Sequence, residues 1–101
     1  MHRFRDLKVW QRAMGFVTEI YKMSGEFPRS EQFGLTSQIR RAGSSIPLSI
    51  AEGAGAGSNA EFRPFLSFAL RSIYEVMTAV ENRTVADLLL PRRSTGAAGR
   101  G

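Results

Sequence analysis

"RRAGSSIPLSIAEGAGAGS", residues Arg40 to Ser58, joins two adjacent arginines, a proline in mid-pattern and a run of alternating glycines. Around it Phe33, Thr36, Ile39, Ala42, Ile46, Ile50 and Gly53 recur at the three-and-four spacing of one helical face, and the stripe keeps its phase through Pro47. Proline has no amide to bond the Gly43 carbonyl and its ring crowds that carbonyl, which costs about 3 kcal/mol or more in a regular helix. The pattern predicts a helix kinked at Pro47, with Ser44 or Ser45 meeting part of the freed backbone; a complete break into two helices is the alternative. Gly53, Gly55 and Gly57 each cost about 1 kcal/mol relative to alanine inside a helix. The helix therefore ends there.

Working outward, Ser58-Asn59-Ala60-Glu61 reads as a capping box. The Ser58 hydroxyl accepts from the Glu61 amide and the Glu61 carboxylate returns to the Ser58 amide. A third helix follows, with Phe62, Phe65, Leu66, Ala69, Leu70, Ile73, Val76, Met77 and Val80 on one wide face. Pro64 lies beyond the first turn, where its missing amide is no longer harmless, and predicts a local bend or a later start. Upstream, Leu7, Trp10, Ala13, Met14, Val17, Ile20 and Tyr21 mark a first helix from Asp6 to Ser24. Asp6 is its expected cap and Gly25 its expected left-handed end. Gly25, Pro28 and Gly34 then turn the chain. Beyond Glu81 the periodicity fades, so residues 1–81 read as a helical domain and 82–101 as an atypical, partly disordered tail. The fold class is all-α.

Chemistry by the common routes lacks its residues. There is no cysteine, and the one histidine, His2, sits in an N-terminus expected to be mobile. Neither a Ser-His-acid arrangement nor a histidine metal cluster can be assembled from one chain. Glu52, Glu61, Glu75 and Glu81 have no histidine three residues on, as a carboxylate-bridged metal site in a helical bundle requires. The glycine run has no strand before it and no Lys-Ser or Lys-Thr after it, so it does not read as a nucleotide loop. Catalytic, metal and cofactor residues are accordingly expected to be none, and the protein is expected not to be an enzyme. No apolar run approaches the roughly 20 residues that span a bilayer, which with the absence of cysteine predicts a soluble cytoplasmic protein and no membrane partner.

The net charge of +5 is unevenly placed. Residues 1–12 hold Arg3, Arg5, Lys8 and Arg12 against Asp6 (+3), residues 13–81 hold six basic and seven acidic groups (−1), and residues 82–101 hold four arginines against Asp87 (+3). Basic ends attract polyanions, so Arg3, Arg5, Lys8 and Arg12 are candidate nucleic-acid contacts, and so are Arg40 and Arg41. Adjacent arginines on a helix point about 100° apart. One of the two is expected to pair with Glu52 or Glu61 across helices and the other to face water or phosphate. Most aromatics fall on core stripes, but Phe16 and Phe68 lie off them. They predict a second buried surface supplied by another subunit.

"LKVWQRAMGFVTEIYK", "FGLTSQIRRAGSSIPLSIAEG" and "SNAEFRPFLSFALRSIYEV" resemble, in order and spacing, the bacterial four-helix-bundle proteins. These include the 23S ribosomal RNA intervening-sequence proteins and the accessory variability determinant of diversity-generating retroelements. The resemblance covers about residues 4–81. It implies an up-and-down antiparallel bundle with a proline-bent second helix, assembled as a homopentamer, without enzymatic activity. It also implies, for the retroelement members, binding to nucleic acid (RNA or DNA) and to a reverse transcriptase. Pro47, Glu52, Gly53, Ser58 and Glu61 stand as structural positions. Against that pattern, the fourth helix is expected to be missing or degenerate. The expectation is a non-enzymatic, self-associating module for RNA or a ribonucleoprotein; the alternative is a purely structural scaffold or a mobile-element-derived protein with no nucleic-acid partner.

Overall fold

In the computed structural model the described residues are 2–89, with side chains described through residue 83. Every regular element among them is helical: α1 spans Lys8–Ser24, α2 Ser37–Ala54 and α3 Asn59–Leu89. A 3-10 turn at Phe4–Asp6 leads into α1, and a 3-10 turn at Arg29–Glu31 followed by a π turn at Gln32–Thr36 leads into α2.

The helix α2 runs unbroken through Pro47, which rules out two separate helices. Pro47 is buried. Two residues before it the Ser45 hydroxyl donates to the Ala42 carbonyl at 2.7 Å and shares a hydrogen bond with the buried Ser72 hydroxyl of α3. This polar link crosses the α2–α3 seam beside the turn that proline weakens, and it leaves neither hydroxyl unsatisfied. Pro64 also lies within its helix, and the later start does not occur. Pro64 and Ala60 are both exposed, so water can bond the Ala60 carbonyl that proline leaves free.

Two apolar clusters, each drawing on all three helices, form the core. Ile20 of α1 meets Ile39 and Ala42 of α2 and Val76 and Ala79 of α3. Ala13 of α1 meets Ile46 and Ile50 of α2 and Ala69 of α3. The helix α2 supplies the fully buried side chains, Ile39 and Ile50, because its apolar stripe is the one flanked by both neighbours.

Local expectations fail where the folded chain offers a better partner. Asp6 belongs to the 3-10 turn and does not cap α1, whose N-cap is Leu7, with no side-chain bond. Gly25 is right-handed (φ −65°, ψ −20°), so α1 does not end on a left-handed glycine. The Glu61 amide does donate to the Ser58 hydroxyl (3.2 Å), but the Glu61 carboxylate accepts from Gly57, at 2.8 Å, rather than from Ser58. The box is displaced by one residue. The helix α3 also continues to Leu89, past the point where apolar spacing fades. Arg83 accounts for part of this: it forms an ion pair with Glu31 and its guanidinium lies 4.7 Å from the Phe27 ring centroid. The expected disorder of residues 92–101 lies outside the described residues.

Two glycines set how closely the helices approach. A Cβ on Gly53 would stand 2.6 Å from Phe65 Cβ and 2.6 Å from Phe62 Cδ1 of α3, whereas one on Gly43 would meet Ile20 Cδ1 of α1 at 2.6 Å. The Phe65 Cβ is fixed to the backbone and cannot yield; Ile20 Cδ1 is the tip of a side chain. Gly53→Ala is therefore expected to destabilise the fold by about 1–3 kcal/mol through overpacking. Gly43→Ala should stay within about 1 kcal/mol of the parent, since the helix propensity gained offsets a small rotation of Ile20. Urea unfolding of the two variants followed by circular dichroism measures this order.

Candidate functional site

The basic residues singled out by the sequence divide between two places. Arg3, Arg5, Lys8 and Arg12 are all exposed, and no carboxylate among the described residues lies within ion-pair distance of them. They are carried by a folded segment and not by a trailing terminus. The His2 amide donates to the Ala54 carbonyl at the end of α2 (2.8 Å), and the His2 ring lies 5.8 Å from that of Phe62. Phe4 packs edge-on against Trp10 at 5.2 Å. The Arg5 carbonyl accepts from Gln11 Nε2 at 2.8 Å, while its guanidinium lies 4.9 Å from the Phe4 centroid. The chain ahead of α1 is thus a strap that presents Arg3 and Arg5 beside Lys8 and Arg12.

Arg40 lies at the other end of α1. Its Nε donates to the Ser24 hydroxyl at 2.7 Å and its terminal nitrogen to the Tyr21 carbonyl at 3.2 Å, with the guanidinium 4.5 Å from the Tyr21 ring centroid. The expected pairing of one of these arginines with Glu52 or Glu61 does not occur: Arg40 is engaged in closing α1, and Glu61 is engaged at Gly57. A cation at a helix C-terminus satisfies orphan carbonyls and complements the helix dipole. Ser24 relays the contact inward, donating to the Ile20 carbonyl at 2.7 Å. Arg41, one position on, is exposed and has no carboxylate within ion-pair distance among the described residues. Lys8 and Tyr21 are separated by about 20 Å of helix, so the N-terminal cluster and the Arg40–Arg41 pair do not form one patch within a single chain. Glu52 is exposed, and Gly53 beside it is buried against α3.

A different surface runs along the α1–α3 side. Two adjoining hollows, of about 520 Å³ and about 400 Å³, are lined by apolar side chains of both helices and share Phe16. Val9, Phe16, Met23, Leu66, Leu70 and Met77 stand open along it. Phe68 lies on another face of α3, half exposed, with Arg71 beside its ring. Both off-stripe phenylalanines are therefore on open surfaces in the single chain.

Sequence reasoning missed the Arg83–Glu31 pair, whose partners are 52 residues apart, and the Ser45–Ser72 link, 27 apart. No local spacing signals either. Among the described residues no group of three or more His, Asp or Glu gathers as metal ligands would. No helix there is long and apolar enough to cross a membrane.

These features define an all-helical protein whose distinctive surfaces are a basic end and an apolar flank. The family model of the 23S rRNA-intervening sequence protein matches residues 5–89, and the chain belongs to that family. No curated protein matches the chain.

Removing the Arg40 guanidinium should loosen the end of α1 more than the surface around it. Arg40→Ala is expected to cost about 1–2 kcal/mol from its hydrogen bonds, and Arg40→Lys should not recover this, because a single ammonium cannot both reach the two acceptors and stack on Tyr21. Amide exchange at Gly25 and Glu26, quickened in both variants, is the measurement.

Proposed function

We propose that the protein is a non-enzymatic interaction module that binds RNA or a ribonucleoprotein and self-associates, with its helices in an up-and-down antiparallel bundle bent at Pro47. The observation that carries the RNA reading is the exposed, unpaired cluster Arg3, Arg5, Lys8 and Arg12 on an anchored segment. Arginine meets phosphate bidentately, and charges not already committed to carboxylates are free to displace counterions from a polyanion. Membership of the 23S rRNA-intervening sequence family makes RNA a natural partner class. Arg41 is a second contact, at the far end of α1; Arg40 is less suited, since α1 already uses its guanidinium. Self-association repeats these modest clusters and multiplies their effect. The five-fold assembly and the reverse-transcriptase partner implied by resemblance to retroelement proteins belong to this reading as its more specific forms.

A purely structural, self-associating role is favoured by one observation, the open apolar flank around Phe16, which has no use in phosphate binding. The two readings separate on a fluorescence-anisotropy titration of a labelled single-stranded RNA at several salt concentrations. Each single-strand phosphate contact adds about 0.7 to the slope of log affinity against log salt. Replacing Arg3, Arg5 and Lys8 by Ala together should lower the magnitude of that slope by about 2, with helical content unchanged. Equal slopes would remove the cluster from the RNA interface, and no binding at low salt would leave the structural role.

A further inference from the structure

A second groove runs along the α2–α3 side and is polar where the α1–α3 flank is apolar. Two adjoining hollows, of about 770 Å³ and about 240 Å³, share Arg71, Tyr74 and Glu75 of α3. The larger takes Ser49 and Glu52 from α2 and Phe68 from α3, together with the linked hydroxyls of Ser45 and Ser72. Phe68 and Tyr74 are 52% and 57% exposed, so neither ring is spent on the core. The Arg71 guanidinium lies 5.7 Å from the Phe68 centroid. Arg71, Glu52 and Glu75 form no ion pair with a described residue.

The groove begins beside the strap. Glu52 stands just ahead of Ala54, whose carbonyl accepts from the His2 amide. Phe68 stands about 9 Å of helix beyond Phe62, whose ring meets that of His2. A strand held by Arg3 and Arg5 therefore has this hollow within reach.

The lining selects what can enter. Two carboxylates against one arginine repel a phosphate backbone lying in the hollow, and an apolar partner would strand all three charges away from water. A nucleobase is uncharged and stacks on an aromatic ring or a guanidinium plane. Where it carries an exocyclic amino group, it also donates to a carboxylate.

We infer that the α2–α3 groove is a pocket for an unpaired, amino-bearing base of a single-stranded RNA. The base stacks on Phe68, flanked by Arg71 and Tyr74, and its amino edge donates to Glu52 or Glu75. Cytosine, adenine and guanine qualify; uracil does not. The inference rests on the RNA reading of the proposed function and adds to it a strand state and a base preference, neither of which follows from counterion release.

Anisotropy titrations of short labelled oligocytidylate and oligouridylate test it, because the two strands differ in base edge and not in backbone charge. The parent should bind oligocytidylate about tenfold more tightly than oligouridylate. Phe68→Ala should weaken oligocytidylate binding by about tenfold, with the salt slope and helical circular dichroism unchanged, whereas Phe68→Trp should keep the parent affinity. Binding of an RNA duplex, whose bases are already stacked and paired, should be indifferent to Phe68→Ala. Glu52→Gln combined with Glu75→Gln should erase most of the preference for oligocytidylate, while the lost negative charge raises affinity for both strands. A parent that binds both strands equally with its salt slope intact, or a Phe68→Ala variant as tight as the parent, would overturn the base pocket and leave the RNA reading standing. A parent that binds neither strand at low salt would remove that reading, and the pocket with it.

Discussion

At the end of α2 the backbone comes so near to α3 that a methyl group on Gly53 would lie 2.6 Å from Phe65 Cβ, inside any real carbon–carbon contact. The architecture depends on this approach. It lets Phe62 and Phe65 close over α2 and places Ile46 and Ile50 between Ala13 on one side and Ala69 on the other. Gly43 does the same toward α1, one helix further round, where Ile20 occupies the space of its missing side chain. Glycine in a helix costs about 1 kcal/mol relative to alanine, and α2 carries two. The return is a thin middle helix against which two neighbours pack closely, with small residues such as Ala42 and Ala54 completing the seam.

Polar groups fasten what the apolar seam brings together. Ser45 and Ser72 join α2 to α3 next to Pro47, Arg40 joins α2 to the end of α1, and Arg83 joins α3 to the α1–α2 connection at Glu31 and Phe27. Each draws on two elements distant in sequence. Among the described residues, no buried side-chain nitrogen or oxygen lacks a partner. A half-satisfied polar contact at any of these seams would weaken the fold by more than the contact itself contributes.

Three helices were legible from apolar spacing, and Ile39, Ile46 and Ile50 of that spacing are buried, whereas Phe33, Met14, Tyr21, Leu66, Leu70 and Met77, marked on the same stripes, stand exposed. The end of α2 at Ala54 follows from the glycine run, and the start of α3 from Ser58. Capping detail was less legible, since it depends on competition. Gly25 stays right-handed, its own amide bonding the Tyr21 carbonyl, with Arg40 a second donor to the same oxygen. Asp6 was drawn into the turn formed by Phe4 and anchored by Trp10. The extent of α3 was missed because helix propensity and a tertiary ion pair at Arg83 hold residues that carry little apolar periodicity. For the candidate site, residue type and exposure of Arg3, Arg5, Lys8 and Arg12 follow from the sequence. Their separation from Arg40 does not, because only the fold shows that α1 lies between them.

That separation places two kinds of surface on different parts of one small molecule. The basic end is exposed charge, and the nucleic-acid binding proposed for it is of the kind that counterion release makes weaken steeply as salt rises. The flank around Phe16 is apolar, and its attraction follows the area removed from water, which salt does not screen. Ionic strength therefore acts on the two surfaces unequally: it screens the charges of the strap at Arg3 and Arg5 and leaves the apolar character of the flank unchanged. Arg12, Glu19 and Glu81 at the rim of the flank are the part of it that salt does screen. In a protein with so little room, the geometry set by α2 keeps the exposed basic cluster and the open apolar flank on different side chains, except at Arg12, which borders both.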